Sequence, residues 1–273
     1  MNSPSARQLF TQAVSQADED IDLVQAALYI ALEEYPSLDI QRYLHQVDEM
    51  AGAIRDRMPT ERYPMRVVKA INQHLFHELG FRGNTDDYYN PRNSFLNDVI
   101  DRRTGIPISL SLVYLAVAER VGFPMVGIGM PGHFLISPVF EGSEIFVDPF
   151  NQGEILFTAD CEERLAQIYN RPVELKPSFI EPVTPRRFLV RMLANLKVVY
   201  MNQKLLYKAL CAVERMLLVL PNQPLEIRDR GLLYFQLGQW RAAAQDLEAY
   251  LLINPYAEDA RVIEQLLDEL RQI

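Results

Sequence analysis

The chain has 273 residues, 49% apolar and 23% charged, so it is long and apolar enough to bury a substantial core, and disorder is not expected. Its net charge of −9 argues against a general nucleic-acid surface, which needs a basic stripe. No apolar run approaches the ~20 residues of a bilayer span. The start, MNSPSARQLF, lacks the apolar stretch of a secretory signal, so a cytoplasmic protein without a membrane segment is expected.

Residues 5–35 follow a helical pattern, with Leu9, Phe10, Val14, Ile21, Val24, Leu28 and Ala31 recurring at mostly three- and four-residue spacing. Tyr35-Pro36 ends it, because a residue before proline avoids the helical region. A second helix is predicted over 38–57 and stopped by Pro59. A third is predicted over 63–79 and closed by Gly80. His74 and His77 form an HxxH pair without a third ligand at a recognisable distance, so they read as surface residues of an amphipathic helix, and no metal is called for. The acidic run Asp18–Asp22 reads as a solvated helix face. Residues 80–94, rich in Gly, Asn, Asp and Pro, read as a loop anchored by Tyr88 and Tyr89. Asn93 or Ser94 is expected to cap a short helix that Gly105 ends.

The most informative stretch is Gly105–Phe150. Pro107 suits the first turn of a helix that runs, mostly apolar, to Val121. Gly122 closes that helix and Pro124 blocks its continuation. A helix buried on most sides belongs at the centre of a core. Its first turn offers free N–H groups and partial positive charge to an oxyanion or thiolate, and Ser109 sits there, with Ser111 about half a turn further in. Three strands are predicted next, Met125–Met130, His133–Phe140 and Ile145–Asp148, with Glu141-Gly142-Ser143 turning between the last two. If Val139 faces Glu144, His133 lies diagonal to Asp148 on one sheet face; a one-residue slip separates them. Either residue alone also reads structurally: His133 as a histidine before an apolar strand, Asp148 as a turn former before Pro149.

These residues resemble the transglutaminase-like fold, in which a helix-borne cysteine precedes a histidine and an aspartate on adjacent strands. More closely, NPRNSFLNDVIDRRTGIPISLSLVYLAVAERVG with PGHFL and VDPF resembles the SirB-type bacterial family, which joins such a core to tetratricopeptide repeats. The resemblance implies an α+β fold with a helical N-terminal part. It places His133 and Asp148 at the histidine and aspartate positions, and Ser109, or else Ser111, near the cysteine position. No cysteine lies there. A serine hydroxyl is far harder to deprotonate than a thiol and needs a base and a preformed oxyanion hole. Cys161 is too far downstream to substitute, and it and Cys211 read as small hydrophobes outside any CxxC pattern; no disulfide is expected.

After a helix at 159–169, the prolines Pro172, Pro177, Pro182 and Pro185 make an extended connector. From 187 the chain is helical and repetitive. Pro221 and Pro255 are 34 residues apart, the tetratricopeptide period. Gly231, Tyr234, Gly238, Trp240, Ala243 and Leu247 follow the repeat's order; Tyr200, Ala209 and Val213 mark a degenerate first unit with Lys197 at the place of Gly231. Tyr234 and Trp240 are expected to fill the gap between paired helices or to face a binding groove. Residues 258–272 read as a capping helix. The expected organisation is a transglutaminase-like domain over 1–170, a Pro-rich connector over 171–186 and repeats over 187–273 that dock on the first domain. Two functions fit. One is a non-catalytic protein that binds a protein or peptide, without cofactor, direct nucleic-acid contact or membrane, and that the SirB-type resemblance implies acts in control of gene expression. The other is an amide- or ester-cleaving enzyme using Ser109, His133 and Asp148.

Overall fold

The computed structural model describes residues 4–55, 57–58, 61–140, 142 and 144–271. The first residues of MNSPSARQLF, the expected helix stop at Pro59 and the turn residues Glu141 and Ser143 lie outside them. The chain forms two compact units, Met1–Phe188 and Leu189–Ile273.

The helical pattern of residues 5–35 resolves into α1 (Ala6–Val14) and α2 (Leu23–Glu34). Side-chain oxygens start both. Ser5 accepts from Gln8 N–H at 3.3 Å and Asp22 from Gln25 N–H at 2.9 Å. Such caps compete with helix continuation and are worth about 1 kcal/mol each. The acidic run is therefore not one helix face: Asp18–Asp20 is a short 3-10 turn, and Asp18 accepts from the backbone of Arg186 at 2.9 Å. Helices α3 (Ile40–Arg55) and α4 (Pro64–Asn72) follow. The end of the third predicted helix widens into a π-helical turn, Gln73–Glu78, so His74 is buried against Glu78 (2.8 Å) while His77 is exposed. The expectation that both histidines face the surface fails at His74, because a π turn breaks the three-residue register.

Two-residue strands β1 (Arg82–Gly83) and β2 (Thr104–Gly105) pair in parallel on either side of α5 (Leu96–Arg102). The expected caps of α5 are corrected. Phe95 precedes the helix without a side-chain cap, and Arg103, in the left-handed region at φ 52°, ends it. Asn93 instead fastens the loop before α5: its Nδ2 donates to the carbonyls of Asp87 (2.7 Å) and Tyr88 (3.1 Å), and its Oδ1 accepts from Asn84 (3.0 Å). Tyr89 is exposed, while Tyr88 stands edge-on to Phe150, so polar bonds and Tyr88 together anchor this loop.

Helix α6 (Pro107–Arg120) is buried along nearly its whole length, with Leu112, Val113, Tyr114 and Val117 almost without solvent exposure. Each such side chain is worth about 1.5–3 kcal/mol of burial. It packs on an antiparallel sheet of β3 (Met125–Ile128), β4 (Leu135–Pro138), β5 (Phe146–Asp148) and β6 (Glu154–Leu156), in that order. Ile136 pairs with Val147, the register that sets His133 diagonal to Asp148. Strand β6 is not among the predicted elements, being only three residues long. Helix α7 (Thr158–Tyr169) contributes Cys161 and Leu165 to a cluster on the sheet with Leu135, Phe146 and Leu156. Val173, Leu175, Phe179 and Ile180 of the Pro-rich stretch pack on that cluster.

Helix α8 (Pro185–Asn202) leads into the second unit, followed by α9 (Leu206–Val219), α10 (Pro224–Gln236), α11 (Trp240–Ile253) and α12 (Ala260–Leu270). Gly231 lets α10 and α11 approach: a Cβ there would stand 2.9 Å from Leu247. Asp246 on α11 holds Arg230 on α10 through two bonds of 2.6 and 2.8 Å.

Candidate functional site

His133 and Asp148 meet. Gly132, at φ +73°, turns the chain ahead of β4, and His133 N–H closes that turn on the Met130 carbonyl at 3.1 Å. Asp148 ends β5 and caps the following turn, accepting from the N–H groups of Phe150 (3.1 Å) and Asn151 (3.3 Å). The imidazole Nε2 lies 2.8 Å from Asp148 Oδ2. Asn151 Nδ2 and Arg164 Nη1 reach the same oxygen at 2.8 and 3.1 Å, and Arg164 also binds Glu154 at 2.6 Å. Burial, the largest single influence, pushes the Asp148 carboxyl up; the bond and charge of His133, then Asn151 and Arg164, outweigh it and hold the group below its ordinary value. Asp148 is wholly buried and orients the imidazole through Nε2.

Phe150 covers the imidazole. Its ring stands edge-on to His133 and to Tyr88, each at 6.1 Å. Gly83 makes room for it, since a Cβ at 83 would lie 2.7 Å from the ring.

Ser109 is not turned to this pair. Its hydroxyl donates to the Asn93 carbonyl at 2.6 Å, with the Ile106 carbonyl also within 3.1 Å, and accepts the Ile106 N–H at 3.0 Å. It is wholly buried. A hydroxyl has one proton to give, and here a backbone carbonyl holds it. The side chain closes the start of α6 by taking the N–H that helix geometry orphans. Ser111 lies about 200° further round the helix, from the 100° step per residue. It is wholly buried, and its Oγ has no hydrogen-bond partner among the described residues. Cys161 is buried in the core, and burial pushes its thiol up to about 11, far from a reactive thiolate.

The sequence reading does not single out Asn151, Phe150 or Arg164. Asn151 carried a signal, three residues after Asp148 in a proline turn. Nothing in the sequence ties Arg164 to Asp148, because α7 meets the sheet only through tertiary packing.

In the second unit, Lys197, Val198, Met201 and Asn202 of α8 and Asp229, Leu232, Leu233 and Gln236 of α10 line a groove of about 250 Å³. Lys197 and Asp229 pair across it at 2.7 Å. Tyr234 and Trp240 lie elsewhere. Tyr234 OH donates to Glu214 of α9 at 3.2 Å, and Trp240 is 39% exposed, its ring edge-on to Phe235 at 5.4 Å. Gly231 and Leu247, rather than these rings, make the close contact between α10 and α11.

The fold and the His–Asp pair define the class. Residues 41–194 match the family model of the transglutaminase-like superfamily, to which the chain belongs, and residues 196–268 match a tetratricopeptide repeat. Within it the chain belongs with the UPF0162 proteins. It is 36% identical to a UPF0162 protein of Xylella fastidiosa over 96% of this chain and 94% of that one, and 29% identical to one of Vibrio cholerae over 93% and 95%. It is also 32% identical to the F-box only protein 21 of Homo sapiens over 83% of this chain and 35% of that longer protein. No solved structure matches. No helix among the described residues is long and apolar enough to cross a membrane.

Proposed function

We propose that this chain is a non-catalytic protein-interaction module of the cytoplasm: a transglutaminase-like core without a working nucleophile, carrying repeats that take up a protein or peptide partner. The observation that carries this reading is the Ser109 hydroxyl, wholly buried with its proton on the Asn93 carbonyl. A buried hydroxyl bonded this way is neither reachable by an acyl donor nor activated by a base. The likeness of 196–268 to tetratricopeptide repeats supports partner binding, and the groove between α8 and α10 is the surface proposed for it. The resemblance to SirB-type proteins extends the proposal to control of gene expression through that partner, which suits an acidic chain better than DNA contact does.

The competing reading, a Ser-His-Asp hydrolase or acyl transferase, draws on the bonded His133–Asp148 pair. A serine-directed fluorophosphonate probe decides between them. The full chain, Ser109→Ala and Ser111→Ala are expected to show no specific labelling. Labelling of the wild type that disappears in either variant would establish the enzyme instead. For the interaction, Met201→Glu in the groove is expected to abolish co-purification of a partner that the wild-type chain retains.

A further inference from the structure

A cavity of about 250 Å³ lies between α3, the π-helical turn and the end of α5, and none of the residues lining it belongs to the His133–Asp148 pair. Its apolar part is formed by Met50, Phe81 and Ile100, all buried. Its polar part is formed by Gln46 and Glu49 of α3, His74 of the π turn, and Arg103 just after α5. Gln46 Oε1 is buried and has no hydrogen-bond partner among the described residues. A fold rarely leaves a buried amide oxygen in that state unless a donor comes from outside it. Glu49 has only His45, one turn back on the same exposed face at 3.3 Å, a pair that water screens.

The other two polar groups are fixed from behind. His74 Nδ1 lies 2.8 Å from Glu78 Oε2, and Arg57 grips the same carboxylate at 2.7 and 2.8 Å. The bond from His74, then that from Arg57, holds Glu78 below its ordinary value, so the carboxylate accepts and Nδ1 donates. No hydrogen bond among the described residues reaches His74 Nε2. Arg103 stands in the left-handed region at φ 52°, uncommon for a long side chain, and its carbonyl accepts the Arg82 N–H at 2.9 Å. Its Nη1 donates to the Leu79 carbonyl at 2.6 Å, which leaves Nε and Nη2 without an acceptor among the described residues. Arg42 and Tyr43 of α3 meet Asp101 of α5 at 3.4 and 2.6 Å. Gln46 and Glu49 lie about one and two turns further along α3, so they come beside the end of α5, where Arg103 sits. Acceptors and cation therefore share one mouth above the apolar floor.

We propose that this cavity binds a free α-amino acid with an apolar side chain. Such a molecule carries an ammonium and a carboxylate on one carbon, and the mouth holds the complement of each. Gln46 Oε1 and the Glu49 carboxylate accept from the ammonium, and the Arg103 guanidinium donates to the carboxylate. The side chain lies over Met50, Phe81 and Ile100. The cavity is smaller than the roughly 300–1,000 Å³ that drug-sized ligands occupy, which suits a ligand of single-residue size. A plain amine would leave Arg103 unused. A plain carboxylate would face Glu49 and leave Gln46 Oε1 without a donor. The site lies within Met1–Phe188, so it is separate from the α8–α10 groove and does not depend on what the repeats bind.

Isothermal titration of the full chain with L-phenylalanine tests this, beside phenethylamine, which lacks the carboxylate, and 3-phenylpropionate, which lacks the ammonium. Saturable binding of phenylalanine is expected, with each analogue at least about tenfold weaker. This comparison needs no variant. Gln46→Leu keeps the bulk of the wall and removes the acceptor; it should weaken phenylalanine about tenfold without weakening 3-phenylpropionate. Arg103→Asn keeps a residue that tolerates the left-handed region and removes the guanidinium; it should weaken phenylalanine about tenfold without weakening phenethylamine. Absence of saturable phenylalanine binding up to about 10 mM, either analogue binding as well as phenylalanine, or an affinity unchanged in a folded Gln46→Leu chain would each overturn the proposal. A chain whose repeats capture no partner but which passes these tests would sink the repeat-groove proposal and leave this one standing.

Discussion

Replacing Asp148 with alanine tests whether the His–Asp pair now serves the fold. The carboxylate is wholly buried and accepts from His133, Asn151, Arg164 and two backbone N–H groups at 2.8–3.3 Å. Removing one partner of a buried charged pair costs about 3–5 kcal/mol, because the other groups stay buried without compensation. Arg164 keeps Glu154, which places the expected loss toward the lower end. For a unit of this size that is roughly a 10 °C fall in Tm. Asp148→Asn keeps the shape and one acceptor for the turn, and should cost about 2 kcal/mol. The assay must report on the first unit. The single tryptophan, Trp240, lies in the second, so its fluorescence follows the repeats. Hydrogen exchange at residues 133–150 along a urea series reads the site directly. A loss below about 1 kcal/mol for Asp148→Ala would refute the reasoning and show that the pair is dispensable to the fold.

The pH dependence of the same pair has a definite sign. The folded pKa of Asp148 is lowered, so its contribution is fully present above the ordinary carboxylate value and is lost as pH falls through the lowered one. The stability gap between wild type and Asp148→Asn, measured by urea melts, should hold from pH 7 to about 5 and shrink below about 4. The two serines should part company in thermal melts. Ser109→Ala orphans the Ile106 N–H and the Asn93 carbonyl and should cost about 1–3 kcal/mol, whereas Ser111→Ala removes a buried hydroxyl without a partner and should be neutral or stabilising. Gly231→Ala presses a Cβ against Leu247 and should lower repeat stability by about 1–3 kcal/mol, read by Trp240 fluorescence in urea.

Much of this protein is written locally. Pro107 and Gly122 bracket α6, Tyr35-Pro36 ends α2, and the 34-residue spacing of Pro221 and Pro255 announces the repeats, because each depends on the backbone preferences of a few neighbouring residues. The sequence offers the order of His133 and Asp148 but leaves their register open; the pairing of Ile136 with Val147 is what brings them together. What sequence could not decide is where a side chain turns once the helix is packed. Ser109 and Ser111 look alike in GIPISLS. Only the loop held by Asn93, lying against the start of α6, commits the Ser109 proton to a carbonyl and leaves Ser111 without a partner. Arg164 reaches Asp148, and residues 182–183 reach β3, across gaps that only the packed sheet closes. Local preference chooses elements; the bonding of a buried polar group depends on every element around it, and that is a property of the fold.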